Sequence, residues 1–131
     1  MKYQLHDSQI DQIKFGANTI IFTFSQGFWA TDEQGKMLEQ LKNCEIVFDI
    51  DKRDAPIESF FSVRISKKGR VYKTISTEKF VALLKKSPFN VCLVYNCDFA
   101  SSKMLELHSN YLHISAEIFI NEIKNVKYIH D

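Results

Sequence analysis

The sequence predicts a mainly β protein of the α+β class, with a strongly curved antiparallel sheet or a small closed barrel of roughly eight to ten short strands. Apolar side chains recur at every second position over many short segments, which is the spacing of half-buried strands. One segment, residues 78–86, shows the spacing of an amphipathic helix convincingly. An open two-layer α+β sheet is the alternative. Without a linker or repeat, residues 1–131 fit a single domain.

The first part of the chain predicts a hairpin followed by further strands. Residues 8–15 and 19–25 flank Gly16-Ala17-Asn18, and a three-residue connection containing Gly and Asn is typical of a β-hairpin. Strands are also predicted at residues 28–31 and 44–51, and residues 37–41 fit either a strand or a short helical turn.

A second hairpin and the helix are predicted in the middle of the chain. Residues 57–66 and 70–76 flank Lys67-Lys68-Gly69, whose glycine suits the last position of a three-residue loop. In the helix over residues 78–86, Thr77 is expected to cap the first turn, and a proline two residues beyond the segment ends it.

The last part of the chain predicts a central strand and a third hairpin. Residues 91–99 are apolar on both faces, which is typical of a strand inside a sheet. Residues 103–108 and 111–119 alternate on either side of Ser109-Asn110, and this pattern predicts a two-residue loop. Residues 115–124 also fit a helix, and residues 125–130 fit a last strand.

Charge and composition exclude several classes of function. The 17 basic and 16 acidic residues give a formal net charge of +1, so no net field attracts nucleic acid or anionic lipid. The first residues lack the apolar run of a signal peptide, and no segment has the roughly 20 apolar residues of a membrane span. We therefore expect a cytoplasmic protein without a nucleic-acid or membrane partner. Cys44, Cys92 and Cys97 are expected to be reduced, and no motif requires a cofactor.

Four polar side chains are predicted to share one face of the third hairpin. A two-residue loop places Glu106 opposite His113, with His108 and Glu117 on the same surface. Imidazole and carboxylate groups bind zinc, and a carboxylate beside an imidazole favours a general base. A solvated face with a favourable Glu–His pair is the preferred interpretation, because no Cys or His cluster with metal-ligand spacing accompanies the four residues. We therefore predict neither a bound metal nor a catalytic residue.

An acidic stripe and the single tryptophan are the candidates for binding a protein partner. Glu45, Asp49 and Asp51 share the polar face of one predicted strand, and Asp54 follows. The stripe either attracts a basic partner or only protects the strand from aggregation, and protection is the preferred interpretation. Trp29 lies beside a turn, where a core position is preferred over an exposed binding anchor.

The tip of the second hairpin is basic, with the sequence Lys67-Lys68-Gly69-Arg70. Such a tip can contact phosphate, although Gly and Lys are common at loop tips. No glycine-rich phosphate loop precedes the helix, and its absence argues against nucleotide-dependent mechanisms.

Residues 3–49 resemble small uncharacterised proteins of low-GC Gram-positive bacteria. The likeness rests on Leu5-His6-Asp7-Ser8 leading into Ile10-Asp11-Gln12-Ile13, the strand over residues 19–24, Gly27-Phe28, and Cys44-Glu45-Ile46-Val47-Phe48. Some of those proteins resemble the barrel-type immunity proteins of bacterial toxin systems. The resemblance implies a cytoplasmic protein that neutralises a cognate toxin without catalysis, and it assigns no functional residue by position.

Three functions are therefore carried forward from the sequence. The first is a non-catalytic protein-binding module, in particular an immunity protein that neutralises a toxin. The alternative is a small-ligand-binding β-barrel, because 11 Phe and 5 Tyr exceed what a small barrel needs to fill its interior. The least favoured is a metal-dependent enzyme that uses the four polar residues of the third hairpin. The oligomeric state stays open, since exposed edge strands would permit a dimer without requiring one.

Overall fold

The alternating pattern forms short strands along the whole chain. The computed structural model describes residues 2–51, 55–97 and 101–131, and these contain thirteen strands and one α-helix. The strands are β1 (Lys2–Gln4), β2 (Gln9–Ile10), β3 (Gln12–Phe15), β4 (Thr19–Phe24), β5 (Trp29–Thr31), β6 (Met37–Gln40), β7 (Cys44–Ile50), β8 (Phe61–Lys67), β9 (Lys73–Ile75), β10 (Phe89–Cys97), β11 (Ser102–Ser109), β12 (Ile114–Ile120) and β13 (Ile123–Ile129). The helix is α1 (Thr77–Lys86), and a short 3-10 helix, Ile57–Ser59, precedes β8. The mainly β class is confirmed, and the strands outnumber the expected eight to ten.

The strands pair in antiparallel fashion within three sheets. The six-stranded sheet has the order β2-β10-β11-β12-β8-β9, the four-stranded sheet has the order β13-β7-β4-β3, and the three-stranded sheet has the order β1-β5-β6. Over the described residues none of the three sheets closes on itself, so the predicted barrel is not confirmed.

The hydrophobic core lies between the inner faces of the six-stranded and four-stranded sheets. On β4, Ile20, Phe22 and Phe24 are fully buried, whereas the residues between them are partly exposed. The ring of Phe61 on β8 lies 6.5 Å from the ring of Phe22 and 5.2 Å from that of Phe15, measured between centroids. Burying one such side chain contributes about 1.5–3 kcal/mol, so these rings hold the two sheets together.

The three-stranded sheet packs on the end of this core through aromatic rings. Phe28, just before β5, contacts the rings of Phe24 at 5.4 Å and Tyr3 at 5.5 Å. The ring of Tyr3 on β1 stacks on that of Tyr128 on β13 at 4.4 Å. Burial, with a smaller contribution from Tyr3, raises the pKa of Tyr128 above its ordinary value.

Helix α1 forms where the sequence predicts it, but a different residue caps it. The side chain of Ser76 accepts a hydrogen bond from the N–H of Lys79 at 3.2 Å, so Ser76, rather than Thr77, is the N-cap. Phe80 is buried against the six-stranded sheet, where its ring lies 5.2 Å from that of Phe89 on β10.

The predicted strand over residues 8–15 is divided between two sheets. Its first part, β2, pairs with β10, whereas β3 pairs with β4 in the predicted first hairpin. Asp11 lies between β2 and β3, where its N–H donates to the carbonyl of Thr23 at 3.0 Å and its carboxylate accepts from the N–H of Ser25 at 3.3 Å. These two bonds anchor the chain where it passes from one sheet to the other.

The second hairpin is confirmed with a longer loop than expected. Ile65 on β8 pairs with Lys73 on β9, so the connection is longer than Lys67-Lys68-Gly69. Lys68 and Gly69 have φ angles of 53° and 73°, and these left-handed residues reverse the chain.

The third hairpin forms, but its predicted register is wrong. Ser109 pairs with Ile114, so the loop contains four residues, 110–113, instead of two. The Ser109 side chain accepts a hydrogen bond from the N–H of Leu112 at 3.1 Å, and His113 has a φ of 55°. This local bond stabilises a wider turn, which changes every cross-strand pair of the hairpin. The segment from residue 115 onwards is strand, as β12 ends at Ile120 and β13 begins at Ile123.

Strand β10 lies inside its sheet over its first residues only. On this edge of β10, β2 pairs with Phe89 and Asn90. The last backbone hydrogen bond runs from the N–H of Asp7 to the carbonyl of Val91, and Asp7 has a left-handed φ of 66°. The β-bulge in β10 between Val91 and Leu93 brings Leu93 opposite Glu106 on the outer face of the sheet, so Leu93 and Tyr95 are 49% and 46% exposed. The prediction of a central strand is therefore wrong for the second half of β10.

Candidate functional site

The predicted Glu–His cluster is rearranged by the register of the third hairpin. Glu106 lies opposite Glu117 and not opposite His113, while His108 lies opposite Ser115. Arg64 on β8 is the next residue in the row, and its Nη1 lies 3.7 Å from Oε1 of Glu117. The predicted Glu–His pair is therefore replaced by two carboxylates and a guanidinium.

The two histidines of the predicted cluster nevertheless come together at the end of the sheet. They line a hollow of about 480 Å³, which we call the histidine hollow. Its lining residues are Ser66, Lys68, Gly69, His108, His113 and Ser115. His108 Nδ1 lies 3.0 Å from Ser115 Oγ, so the ring is held by a hydrogen bond across the strands. Within the described part of the chain, no three His, Cys, Asp or Glu side chains converge in a way that could hold a metal ion.

The predicted acidic stripe is partly neutralised. Glu45 and Asp49 are half-buried on the outer face of the four-stranded sheet, with Val47 between them. Lys127 Nζ on β13 lies 3.4 Å from Asp49 Oδ2. Asp51 is half-buried just after β7, and Asp54 lies outside the described residues. The outer face therefore carries both signs of charge rather than a continuous acidic surface.

Trp29 does not occupy the core position that the sequence favours. It is 37% exposed on β5, while the buried aromatic position beside it is that of Phe28. On the neighbouring strand β6, Met37 is 48% and Leu38 is 54% exposed. We call Trp29, Met37 and Leu38 the apolar edge surface.

Strand β6 is exposed over its full length. Met37, Leu38, Glu39 and Gln40 are all exposed, and in the described part of the chain β6 pairs with β5 alone. Glu39 pairs with Ala30 and Met37 pairs with Thr31, so Leu38 is the extra residue of a β-bulge. A bulge interrupts the alternation of side chains, and this explains why residues 37–41 show no clear period in the sequence.

The turn that leads into β6 is tightly hydrogen-bonded. Oδ1 of Asp32 accepts from the N–H groups of Gln34 and Lys36, both at 2.9 Å. At the other end, Nε2 of Gln40 donates to the carbonyl of Gln26 at 3.1 Å. These bonds fix both ends of the strand, so its exposed side chains project from a defined backbone.

A second surface groove, of about 370 Å³, separates β10 from the segment Tyr3–His6. Cys92 lines this groove. Burial, followed by the negative charges of Glu106 and Asp7, raises the pKa of the Cys92 thiol. A thiol with a raised pKa is a weak nucleophile at neutral pH, so this geometry does not support a catalytic cysteine.

Comparison with protein-family models, with curated proteins and with solved structures found no match. Among the described residues, no helix has the length and apolar character needed to cross a membrane.

Proposed function

We propose that this chain is a non-catalytic protein-binding module that holds its partner at the apolar edge surface. The observation that carries the proposal is strand β6, an edge strand with all four residues exposed, including the large apolar side chains of Met37 and Leu38. An exposed edge strand with apolar side chains is an aggregation hazard in an isolated protein, so its presence favours a partner that covers it.

Two physical features make this surface suited to a protein. The outer edge of β6 offers backbone N–H and C=O groups to an extended segment, which would add a fourth strand to the three-stranded sheet. Trp29 supplies a large side chain that loses little conformational entropy on binding, and such residues dominate the binding energy of protein interfaces. The bonded turn at Asp32 reduces the cost of ordering β6 when a partner binds.

The acidic residues Glu45, Asp49, Asp51 and Asp54 stay in the proposal as secondary contacts. The ion pair between Asp49 and Lys127 lowers the attraction that this face exerts on a basic partner. We therefore assign the main contribution to the apolar edge surface.

The resemblance to immunity proteins favours a toxin as the partner and the cytoplasm as the place of action, and both remain part of the proposal. A small-ligand-binding barrel has less support, because packed rings such as Phe22 and Phe61 occupy the space between the two larger sheets. A metal-dependent enzyme has the least support, because the third hairpin places Glu106 opposite Glu117 rather than beside a histidine.

The test combines capture of a partner with substitutions on the apolar edge surface. The tagged full chain is used to capture proteins from a lysate of its source organism, and a stoichiometric partner is purified for titration calorimetry. Trp29→Ala and Leu38→Ser are each expected to raise the Kd by about thirtyfold, the effect of losing an interface hot spot.

Matched controls remove similar side chains elsewhere. Tyr111→Ala and Val71→Ser change exposed residues, 78% and 83% accessible, that lie in other loops. They are expected to leave the Kd within about twofold of the parent value. The proposal fails if no stoichiometric partner is captured across several growth conditions, or if the control variants weaken binding as much as the test variants do.

A further inference from the structure

We propose that the histidine hollow is a binding site for a small oxyanion, with a phosphate-bearing small molecule as the ligand class. Its charged and titratable lining side chains are Lys68, His108 and His113, and no carboxylate of the described residues lines it. Lysine and protonated histidine donate charge-assisted hydrogen bonds, which are about twice as strong as neutral ones.

Two turns meet around the hollow. Lys68 and Gly69 belong to the β8–β9 turn and His113 to the β11–β12 turn, and the N–H of Lys68 donates to the carbonyl of His113 at 3.5 Å. All three residues have left-handed φ angles, of 53°, 73° and 55°. The two turns therefore bring a lysine and a histidine from distant parts of the sequence to one site.

The floor of the hollow is formed by regular strands. His108 on β11 bonds Ser115 through Nδ1, which leaves Nε2 of the ring to bind a ligand. Ser66 is buried on β8, and its hydroxyl donates to the carbonyl of Arg70, which holds the β8–β9 turn in place. The site thus has a fixed floor of strands and a rim of two linked turns.

The charges around the hollow favour an anion. Lys68 and Arg70 belong to the β8–β9 turn, whereas Lys67 on β8 and Lys73 on β9 are in register with Ile114 and Ile65 and lie on the opposite face of the sheet. The carboxylates nearest along the strands are Glu106 and Glu117, each two residues from a lining residue, and Arg64 pairs with Glu117 at 3.7 Å. The cations Arg64, Lys68 and Arg70 therefore face two carboxylates at this end of the sheet, and the balance of charge is positive.

The volume of about 480 Å³ matches a small molecule, because ligand pockets are typically about 300–1,000 Å³. The site is separate from the apolar edge surface, since its lining residues belong to the six-stranded sheet and its turns. The inference is therefore independent of the proposed protein-binding function.

The test is an NMR titration of the isotope-labelled full chain with inorganic phosphate at pH 6.0, where imidazole groups are in general largely protonated. Sodium chloride keeps the ionic strength constant. We expect saturable shifts of the His108 and His113 ring signals and of the Lys68 and Gly69 amides. Lys68→Asn and His113→Asn are each expected to raise the Kd for phosphate at least about fivefold. Asparagine is chosen because it tolerates the left-handed backbone at both positions.

Lys14→Asn is the matched control, since it removes one charge from the exposed face of β3. It is expected to leave the Kd within about twofold of the parent value. Shifts that grow linearly with phosphate, or that spread over lysines on every surface, would overturn the proposal. The same holds if Lys14→Asn weakens binding as much as Lys68→Asn. The location of the shifts in the unaltered chain decides the question even if one variant does not fold.

Discussion

Glu106 and Glu117 face each other directly across β11 and β12, and Arg64 on β8 approaches the second of them at 3.7 Å. Two carboxylates directly opposite one another on a sheet repel, so the row depends on the guanidinium for its charge balance. Arg64 also lies 5.6 Å above the ring of Tyr72, which fixes its position over the sheet.

Removing the Arg64 guanidinium is expected to leave the repulsion between Glu106 and Glu117 uncompensated. Arg64→Ala should lower the free energy of unfolding by about 0.5–1 kcal/mol at pH 7, measured by urea denaturation. Because the pair is partly solvated, the loss should shrink in 1 M salt. Adding Glu117→Gln to Arg64→Ala should recover part of the lost free energy of unfolding. If the double variant is as unstable as Arg64→Ala alone, the two carboxylates do not interact.

Gly27 is expected to tolerate substitution far less than Gly35. Both have left-handed φ angles, of 79° and 85°, but a Cβ at Gly27 would lie 1.7 Å from the carbonyl oxygen of Leu41, and one at Gly35 would meet nothing within 4 Å. Gly35→Ala should cost about 1–2 kcal/mol of unfolding free energy. Gly27→Ala should cost more than about 3 kcal/mol or prevent folding, because backbone must move. Equal losses in chemical denaturation would contradict the close approach of the two segments.

The three cysteines are expected to react with iodoacetamide at different rates. Cys97 is exposed, Cys92 is half-buried and Cys44 is buried. Burial raises the pKa of both the Cys92 and the Cys44 thiol. At pH 7.5 Cys97 should therefore react first, Cys92 at least about tenfold more slowly, and Cys44 only after unfolding. Peptide mass spectrometry over time measures the order, with the Cys97→Ser variant as a control that isolates Cys92.

Alkaline pH is expected to destabilise the fold through Tyr128. Burial and Tyr3 raise the pKa of Tyr128 above 10.0. The stabilisation that the protonated hydroxyl provides is therefore complete below the unfolded-state pKa, and it is lost as the pH rises through the folded-state pKa. Tyr128→Phe removes the ionisable group, and its stability should fall less than that of the parent between pH 9 and about pH 11. The measurement is urea denaturation at each pH.

The matched substitution for this test is Tyr111→Phe, which changes a tyrosine that is 78% exposed. It should leave the alkaline loss of stability unchanged. If both variants behave like the parent, Tyr128 does not contribute to the pH dependence.

The sequence pattern predicts elements well where local geometry decides them. The alternation of Ile20, Phe22 and Phe24, the spacing of Phe80 and Leu84 in α1, and the Gly16-Ala17-Asn18 turn all appear in the structure as expected. In each case the period or the turn residues belong to a single segment, so no distant contact is needed to specify it.

The predictions from sequence are wrong where a side-chain hydrogen bond or a bulge interrupts the local pattern, or where strand pairing depends on distant parts of the chain. The Ser109 hydroxyl widens the third turn and moves Glu106 opposite Glu117. The β-bulge in β10 between Val91 and Leu93 brings Leu93 opposite Glu106 on the outer face and leaves it exposed. The bulge at Leu38 removes the period of β6 and hides the apolar edge surface from sequence analysis. A serine just before a loop can hydrogen-bond the loop backbone, and this signal in the sequence would have indicated the wider turn and the shifted register.

The strand order also determines which strands can pair before synthesis of the chain is complete. β7 emerges early but is flanked in its sheet by β13, and β2 is held by β10. A nascent chain that has been translated only as far as β9 therefore lacks the strands whose backbone groups pair with β2 and with one edge of β7. Pairing between strands that are distant in sequence is associated with slow folding and with a need for protection on the ribosome. The four-stranded sheet can be completed only after β13 has been synthesised.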